Sequence, residues 1–238
     1  MPSAELPPVF ILAAGLGTRL GFESAKTLFP VTGRPVLEWI LLECRRQGVR
    51  RVVVTVLRQH EQALSRFCAH GVPAGIKLSV SVDETPQGTL GTLRIAHERF
   101  PSGRLIIWLG DIVGAPPLAR LEEMTPGASA VLLAHWRPDY EQSGVLTVAG
   151  ASRLTGFREK PGRLPVPAAR VWAGVATIEA SQLAGPAGHD LGRDLWPVLA
   201  ASGRCRVLDS DPAEPLIAVD RRADAGRLAA ALSRAGIR

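Results

Sequence analysis

Ile11-Leu12-Ala13-Ala14-Gly15-Leu16-Gly17-Thr18-Arg19-Leu20, followed by Lys26-Thr27-Leu28-Phe29-Pro30-Val31, reads as an apolar strand, a glycine turn and two spaced cations. Gly15 and Gly17 carry no Cβ, so backbone N–H groups can close on an anion at the turn. Arg19 and Lys26 add fixed positive charge at its exit, suited to a polyphosphate tail. Two glycines alone say little. The ordered set of strand, glycines, Thr18-Arg19 and Lys26-x-x-x-Pro30-Val31 is far more specific.

Outward from this stretch, short apolar runs alternate with helical patterns to about residue 135. Strands are expected at Val9–Ala13, Arg51–Val56, Lys77–Val82, Arg104–Leu109 and Ser129–Ala134, with helices at Pro35–Gln47, His60–Ala69 and Leu90–Phe100 between them. That alternation predicts a mostly parallel sheet with helices on both faces. Ligands of such sheets bind beyond the carboxyl ends of the strands, where the glycine turn and Asp111 fall. The second half predicts a hairpin, Gly144–Val148 with Leu154–Phe157, then a proline-rich loop, Pro161–Pro167. A strand at Val171–Ile178, a helix at Asp190–Ala201, strands at Arg204–Leu208 and Leu216–Val219 and a closing helix from about Asp224 follow. Neither a linker nor a repeat interrupts the chain. One domain with a substrate-binding subregion is expected.

Composition bounds the partners. The chain has 238 residues, 46% of them hydrophobic, enough for a substantial core. No apolar run reaches the length of a membrane span, and the N-terminus lacks a secretory pattern. Cys44, Cys68 and Cys205 are odd in number and widely spaced, which predicts no disulfide framework or cysteine metal site and fits a cytoplasmic protein. The net charge of +6 raises nucleic acid as a partner, but the arginines form no stripe and aromatics are only 5%. A small polyanionic substrate accounts for the surplus as well, so neither nucleic acid nor membrane is expected. Lys26, Lys77 and Lys160 are the only lysines in an arginine-rich chain, and two of them lie in motif-like segments.

Two acids stand at strand ends. Asp111 follows Leu105–Leu109 and is placed to hold Mg²⁺ beside the phosphate turn; the alternative is a turn-capping Asp. Asp220 repeats the arrangement after Leu216–Val219, and the pair could share one Mg²⁺; the alternative is a helix N-cap, for which Asp224 is an equal candidate.

In sequence order, these segments resemble the sugar-phosphate nucleotidylyltransferases over nearly the full chain. Gly156-Phe157-Arg158-Glu159-Lys160-Pro161 is similar to that family's Glu-Lys-Pro segment, and Asp190-Leu191 with Leu195-Trp196-Pro197 to its Asp-Leu-Pro helix. The resemblance implies a Rossmann-like three-layer αβα sandwich with a mostly parallel mixed sheet, of the nucleotidyltransferase type. It implies nucleotide contacts at Leu12, Ala14, Gly15, Gly17, Thr18, Asp83 and Gly88, with Arg19 and Lys26 as the catalytic cations. It also implies sugar-phosphate contacts at Gly144, Glu159, Lys160 and Trp172, and Mg²⁺ on Asp111 and Asp220. The implied substrates are an NTP and a mannose- or heptose-like sugar 1-phosphate, handled by a monomer or homodimer. The resemblance further implies that residues 1–135 bind the nucleotide and 136–238 the sugar phosphate.

The segment Asp83-Glu84-Thr85-Pro86-Gln87-Gly88 would meet the nucleobase in that family. A carboxylate only accepts hydrogen bonds, which suits the paired donors of guanine and opposes the carbonyl of uracil or thymine; cytosine stays open. GTP is therefore the expected donor, and a surface Asp-Glu turn is the alternative reading of Asp83. Three departures stand out: Ala25 before Lys26, Trp172-Ala173-Gly174 where relatives carry Asn-x-Gly, and Arg221-Arg222 after Asp220. Indole is bulky and donor-only, so Trp172 also leaves a non-sugar phosphate or phosphonate acceptor open, with CTP, UTP or dTTP as donor. A non-catalytic nucleotide-sugar-binding paralogue is the remaining alternative.

Overall fold

A computed structural model describes residues 5–15, 22, 24–185, 187–214 and 216–234. In chain order the strands are β1 (Val9–Leu12), β2 (Pro30–Val31), β3 (Arg34–Pro35), β4 (Arg51–Leu57), β5 (Lys77–Asp83), β6 (Arg104–Leu109) and β7 (Ile112–Val113). They continue as β8 (Ala130–Arg137), β9 (Gly144–Ala149), β10 (Arg153–Glu159), β11 (Ala169–Glu179), β12 (Cys205–Asp209) and β13 (Ile217–Ala218). The α-helices are α1 (Val36–Arg46), α2 (Glu61–His70), α3 (Gly88–Arg99), α4 (Leu118–Glu123), α5 (Trp196–Ala201) and α6 (Arg222–Arg234).

Nine strands form one sheet in the order β5-β4-β1-β6-β11-β8-β12-β10-β9. The first four run parallel, and β11 enters antiparallel between β6 and β8. The sheet is thus mixed, as expected, but not mostly parallel: β12 pairs parallel with β8, while β9, β10 and β11 enter by antiparallel pairings. Both halves of the chain contribute to it. Strict alternation along each strand builds the two faces. Val9, Ile11, Ile106, Trp108, Val131 and Leu133 pack on one side with α1 and α6, while Phe10, Leu105, Ile107, Leu132 and Ala134 pack on the other with α3 and α5. Two apolar layers on one sheet make the three-layer sandwich.

Two expectations are corrected. The segment after Asp190 is not one α-helix: a π-helical turn, Leu191–Leu195, precedes α5, which has Pro197 in its first turn. Proline lacks the N–H that a continuous helix would need there and its ring crowds the turn before it, so the backbone widens. The strand around Leu216–Val219 shortens to β13 and never joins the main sheet; it pairs antiparallel with β7 in a separate ladder, Ala218 opposite Ile112. All three cysteines are free. No helix among the described residues is long and apolar enough to cross a membrane.

Candidate functional site

The parallel ends of β1 and β6 set the site. Leu12 lies opposite Leu109, and the Gly110 N–H donates to the Leu12 carbonyl at 2.9 Å. A Cβ at Gly110 would sit 2.8 Å from that of Ala13, so glycine is what lets the two strand ends close together. The buried Thr55 hydroxyl on β4 accepts from the Ala13 N–H at 3.0 Å, fixing the start of the glycine turn. Beyond it Ala14 is half-buried and Gly15 exposed, with open space where a Cβ would point. Gly17, Thr18 and Arg19 lie outside the described residues.

Lys26 begins a 3₁₀ turn, Lys26–Leu28, and points back at the strand ends. Its Nζ donates to Asp111 Oδ2 at 2.6 Å and to Asp220 Oδ1. Burial drives the Lys26 pKa down, but the charges and hydrogen bonds of the two carboxylates outweigh it, and the pKa lies above the ordinary lysine value. The β7–β13 ladder brings the two acids together: Asp111 precedes β7, Asp220 follows β13, and the Val219 N–H donates to the Asp111 carbonyl at 2.8 Å. The acids therefore meet across a two-stranded ladder and not on adjacent strands of the main sheet.

The Asp224 carboxylate accepts from the Asp220 and Arg221 N–H groups at 2.9 and 2.7 Å, so it caps the turn before α6, while the Asp220 side chain meets Lys26. A cleft of about 370 Å³ opens beside it, lined in part by His135, Arg137, Leu216, Asp220, Asp224 and Arg227.

The donor set suits Mg²⁺. Asp111 Oδ1 is buried without a hydrogen-bond partner, an acceptor the fold leaves unanswered. Among the described residues no group of three His, Cys, Asp or Glu converges to cage a metal. Mg²⁺ needs no such cage, since one or two carboxylates, substrate phosphates and water complete its octahedron.

Asp83 ends β5 and is only 2% exposed, so the surface-turn alternative fails. The Thr92 hydroxyl on α3 donates to its Oδ2, while Oδ1 is buried with no partner. Burial pushes its pKa up, against the opposing pull of Thr92 and Arg99. Gly88 has φ +71°, and a Cβ there would collide with the His189 carbonyl oxygen. That carbonyl accepts from the Leu90 N–H at 2.7 Å, so the 187–190 segment is seated on the first turn of α3. Glycine at 88 thus serves a close backbone crossing, a requirement the sequence reading did not see. Thr89 completes the joint: the Leu191 N–H donates to its hydroxyl at 2.9 Å.

On the acceptor side, Glu159 pairs with Gly144 across β9 and β10. A Cβ at Gly192 would strike Glu159 Oε2, and one at Gly144 would strike the Phe157 ring and come within 3.1 Å of the same oxygen. Gly192 therefore opens the slot that holds this carboxylate, and Gly144 makes room for both Phe157 and Glu159. Burial raises the Glu159 pKa and nearby Asp190 adds to the rise, with Lys160 and Arg193 opposing. Lys160 has φ +47° and sets its Nζ 3.7 Å from Glu159 Oε1. Trp172 lies on β11, where the pairing with β8 slips between Trp172 and Ala176. Its Nε1 donates to the Val175 carbonyl at 2.9 Å, and its ring meets Trp196 edge-on at 5.4 Å. Gly174, at φ +78°, lets the bulge press on the Asp111 turn, since a Cβ there would lie 2.7 Å from Ile112 Cγ1.

The MobA-like NTP transferase domain matches residues 9–238. The chain belongs to that family. Among curated members, it is 34% identical over 178 residues to the CMP-5'-(3-aminopropyl)phosphonate synthase of Streptomyces rubellomurinus, covering 68% of this chain and 28% of that protein. It is 27% identical over 155 residues to the D-glycero-α-D-manno-heptose 1-phosphate guanylyltransferase of Aneurinibacillus thermoaerophilus, covering 63% and 66% respectively. The match to the bifunctional protein GlmU of Trichlorobacter lovleyi, 32% identical over 127 residues, covers 52% of this chain and 27% of that protein. The chain thus spans about a quarter of the longer relatives and about two thirds of the guanylyltransferase. In fold, HddC from Yersinia pseudotuberculosis complexed with GMP-PN superposes with a TM-score of 0.80 at 18% identity, over 94% of this chain and 99% of HddC. This MobA-like domain therefore has the nucleotidyltransferase fold that the order of its motifs predicted.

Proposed function

We propose that the protein transfers a nucleotidyl group from an NTP, with GTP favoured, to a mannose- or heptose-like sugar 1-phosphate, releasing pyrophosphate. The observation that carries this reading is the convergence of Lys26, Asp111 and Asp220 beside the end of β1, where the glycine turn begins. Heptose 1-phosphate guanylyltransferases among the relatives support the guanine donor. Residues 1–135 supply the nucleotide side and 136–238 the acceptor side, with Asp220 crossing back to the nucleotide half.

A phosphate oxygen of the acceptor forms a bond to the α-phosphorus. The bond from that phosphorus to the oxygen bridging it to the β-phosphate breaks, and pyrophosphate leaves with the electron pair. The acceptor phosphate is already anionic, so no general base is needed. The residues' task is positioning and charge neutralisation. Lys26 serves the α-phosphate, Arg19 the departing pyrophosphate and Lys160 the acceptor phosphate. Glu159 accepts from sugar hydroxyls. Mg²⁺, when bound by Asp111 and Asp220, supplies positive charge to the reacting phosphates.

A second reading keeps the reaction but changes the acceptor to a non-sugar phosphate or phosphonate, with CTP as donor. Trp172 favours it, because its one polar atom is spent on Val175 and none is left for a hydroxyl. One experiment separates the two: five NTPs against a panel of sugar 1-phosphates and small phosphonates, with Mg²⁺, read by pyrophosphate release. Release with GTP and a hexose or heptose 1-phosphate supports the first reading, and release only with CTP and a phosphonate the second. No release from any pair defeats both.

A further inference from the structure

The ammonium of Lys26 stands between Asp111 and Asp220, in hydrogen-bond contact with both. Two carboxylates this close to one point repel each other unless a cation lies between them. Lys26 supplies one positive charge there, and its side chain is only 17% exposed. Its backbone is fixed by the 3₁₀ turn, with Ala25 fully buried behind it and the Phe29 N–H donating to the Lys26 carbonyl at 3.0 Å. The four-carbon stem has several rotatable bonds, and an ammonium is a compact charge that moves between oxygen acceptors without a preferred fork geometry. The turn that carries Lys26 follows the glycine-containing loop, on the side where the triphosphate is read to bind.

We propose that Lys26 is the resident cation of the acidic pair in the empty enzyme and that the incoming triphosphate draws its ammonium off the carboxylates, opening them to the metal. This rests on the reading of Asp111 and Asp220 as the metal-holding pair. Metal arriving alone must then compete with Lys26, whereas metal arriving with nucleotide need not. Metal and nucleotide consequently tighten each other's binding by more than their direct contact, and linkage makes that gain equal in both directions.

The test is a Mn²⁺ titration of the full chain without nucleotide, followed by the electron paramagnetic resonance signal of the free ion. Lys26→Met should bind Mn²⁺ at least roughly tenfold more tightly than wild type, since a neighbouring positive charge has been removed. Adding Asp111→Asn to that variant should abolish the gain. Equal Mn²⁺ affinity in wild type and Lys26→Met overturns the proposal. Should Lys26→Met fail to fold, the wild type answers alone by amine acylation read by mass spectrometry, with the exposed Lys77 as internal reference. Saturating Mn²⁺ should raise Lys26 labelling severalfold over that reference, and unchanged labelling at saturation overturns the proposal. These readouts need no turnover, so an enzyme that fails the pyrophosphate assay removes the functional reading and leaves the competition measurable.

Discussion

The Asp220 N–H donates to the Asp224 carboxylate at 2.9 Å, while the Asp220 carboxylate accepts from Lys26 Nζ. Asp224 also accepts from the Arg221 N–H ahead of α6. Backbone capping and, on the proposed reading, metal holding thus fall to two acids four residues apart.

Asp224→Ala should therefore cost about 1 kcal/mol of stability, as for loss of a helix cap. A purely structural cap would stop there. A positioning role for Asp220 predicts in addition that the Mg²⁺ concentration for half-maximal activity rises, with the acceptor KM unchanged. An unaltered Mg²⁺ requirement in a folded Asp224→Ala would confine Asp224 to capping.

Asp111→Asn keeps the shape of the side chain and removes its charge. If the carboxylate serves the transition state through the metal, kcat should fall by ~10²-fold or more with the nucleotide KM changed far less. Stopped-flow and steady-state pyrophosphate release would measure both. Near-normal kcat would take Asp111 out of the reacting centre.

Much of this was legible in the chain because it depends on period and order. The near-continuous apolar runs Val9–Leu12 and Arg104–Leu109 mark parallel strands buried on both faces, and both deliver their ends to one place. What sequence could not show was anything that depends on two segments meeting. The β7–β13 ladder joins residues more than a hundred positions apart through two-residue strands, too short to leave a periodic signal. The same holds for Gly88 against His189 and for Gly144 and Gly192 against Glu159. Pro197 was a readable warning that the helix after Asp190 would not run unbroken. The spacing of Asp220 and Asp224 did pose the capping choice, but that Asp224 accepts from the N–H groups before α6 follows only from how the segment folds.

His135 gives the protein an acid-sensitive element. Burial and the neighbouring Arg137 hold its pKa down at about 4, with Asp139 opposing. The imidazole is neutral in both folded and unfolded chains above pH ~6.5. As the pH falls from there, the unfolded chain takes up the proton and the folded one does not, so stability is lost until about pH 4, where the folded state also titrates. The denaturation midpoint of wild type should drop between pH 7 and 4.5, and His135→Asn should show a shallower drop. Parallel pH profiles for the two proteins would place the acid sensitivity elsewhere.

Gly88→Ala tests the joint between residues 1–135 and 136–238, the proposed nucleotide and acceptor sides. Two penalties act on it at once: a left-handed φ of +71° and a collision with the backbone oxygen of His189, which cannot rotate away. Gly75 offers the matched control, since its φ is +90° with open space around the missing Cβ. Gly75→Ala should cost only the conformational penalty, roughly 1 kcal/mol. Gly88→Ala should cost at least about twice that, because the 187–190 segment must also move. Displacing that segment shifts Asp190, whose carboxylate caps the π-helical turn at Gly192 and Arg193, and Gly192 forms one wall of the Glu159 slot. The acceptor KM should therefore rise in Gly88→Ala although residue 88 belongs to the proposed nucleotide side. Equal destabilisation of the two variants, with an unchanged acceptor KM, would show that the crossing at His189 transmits nothing.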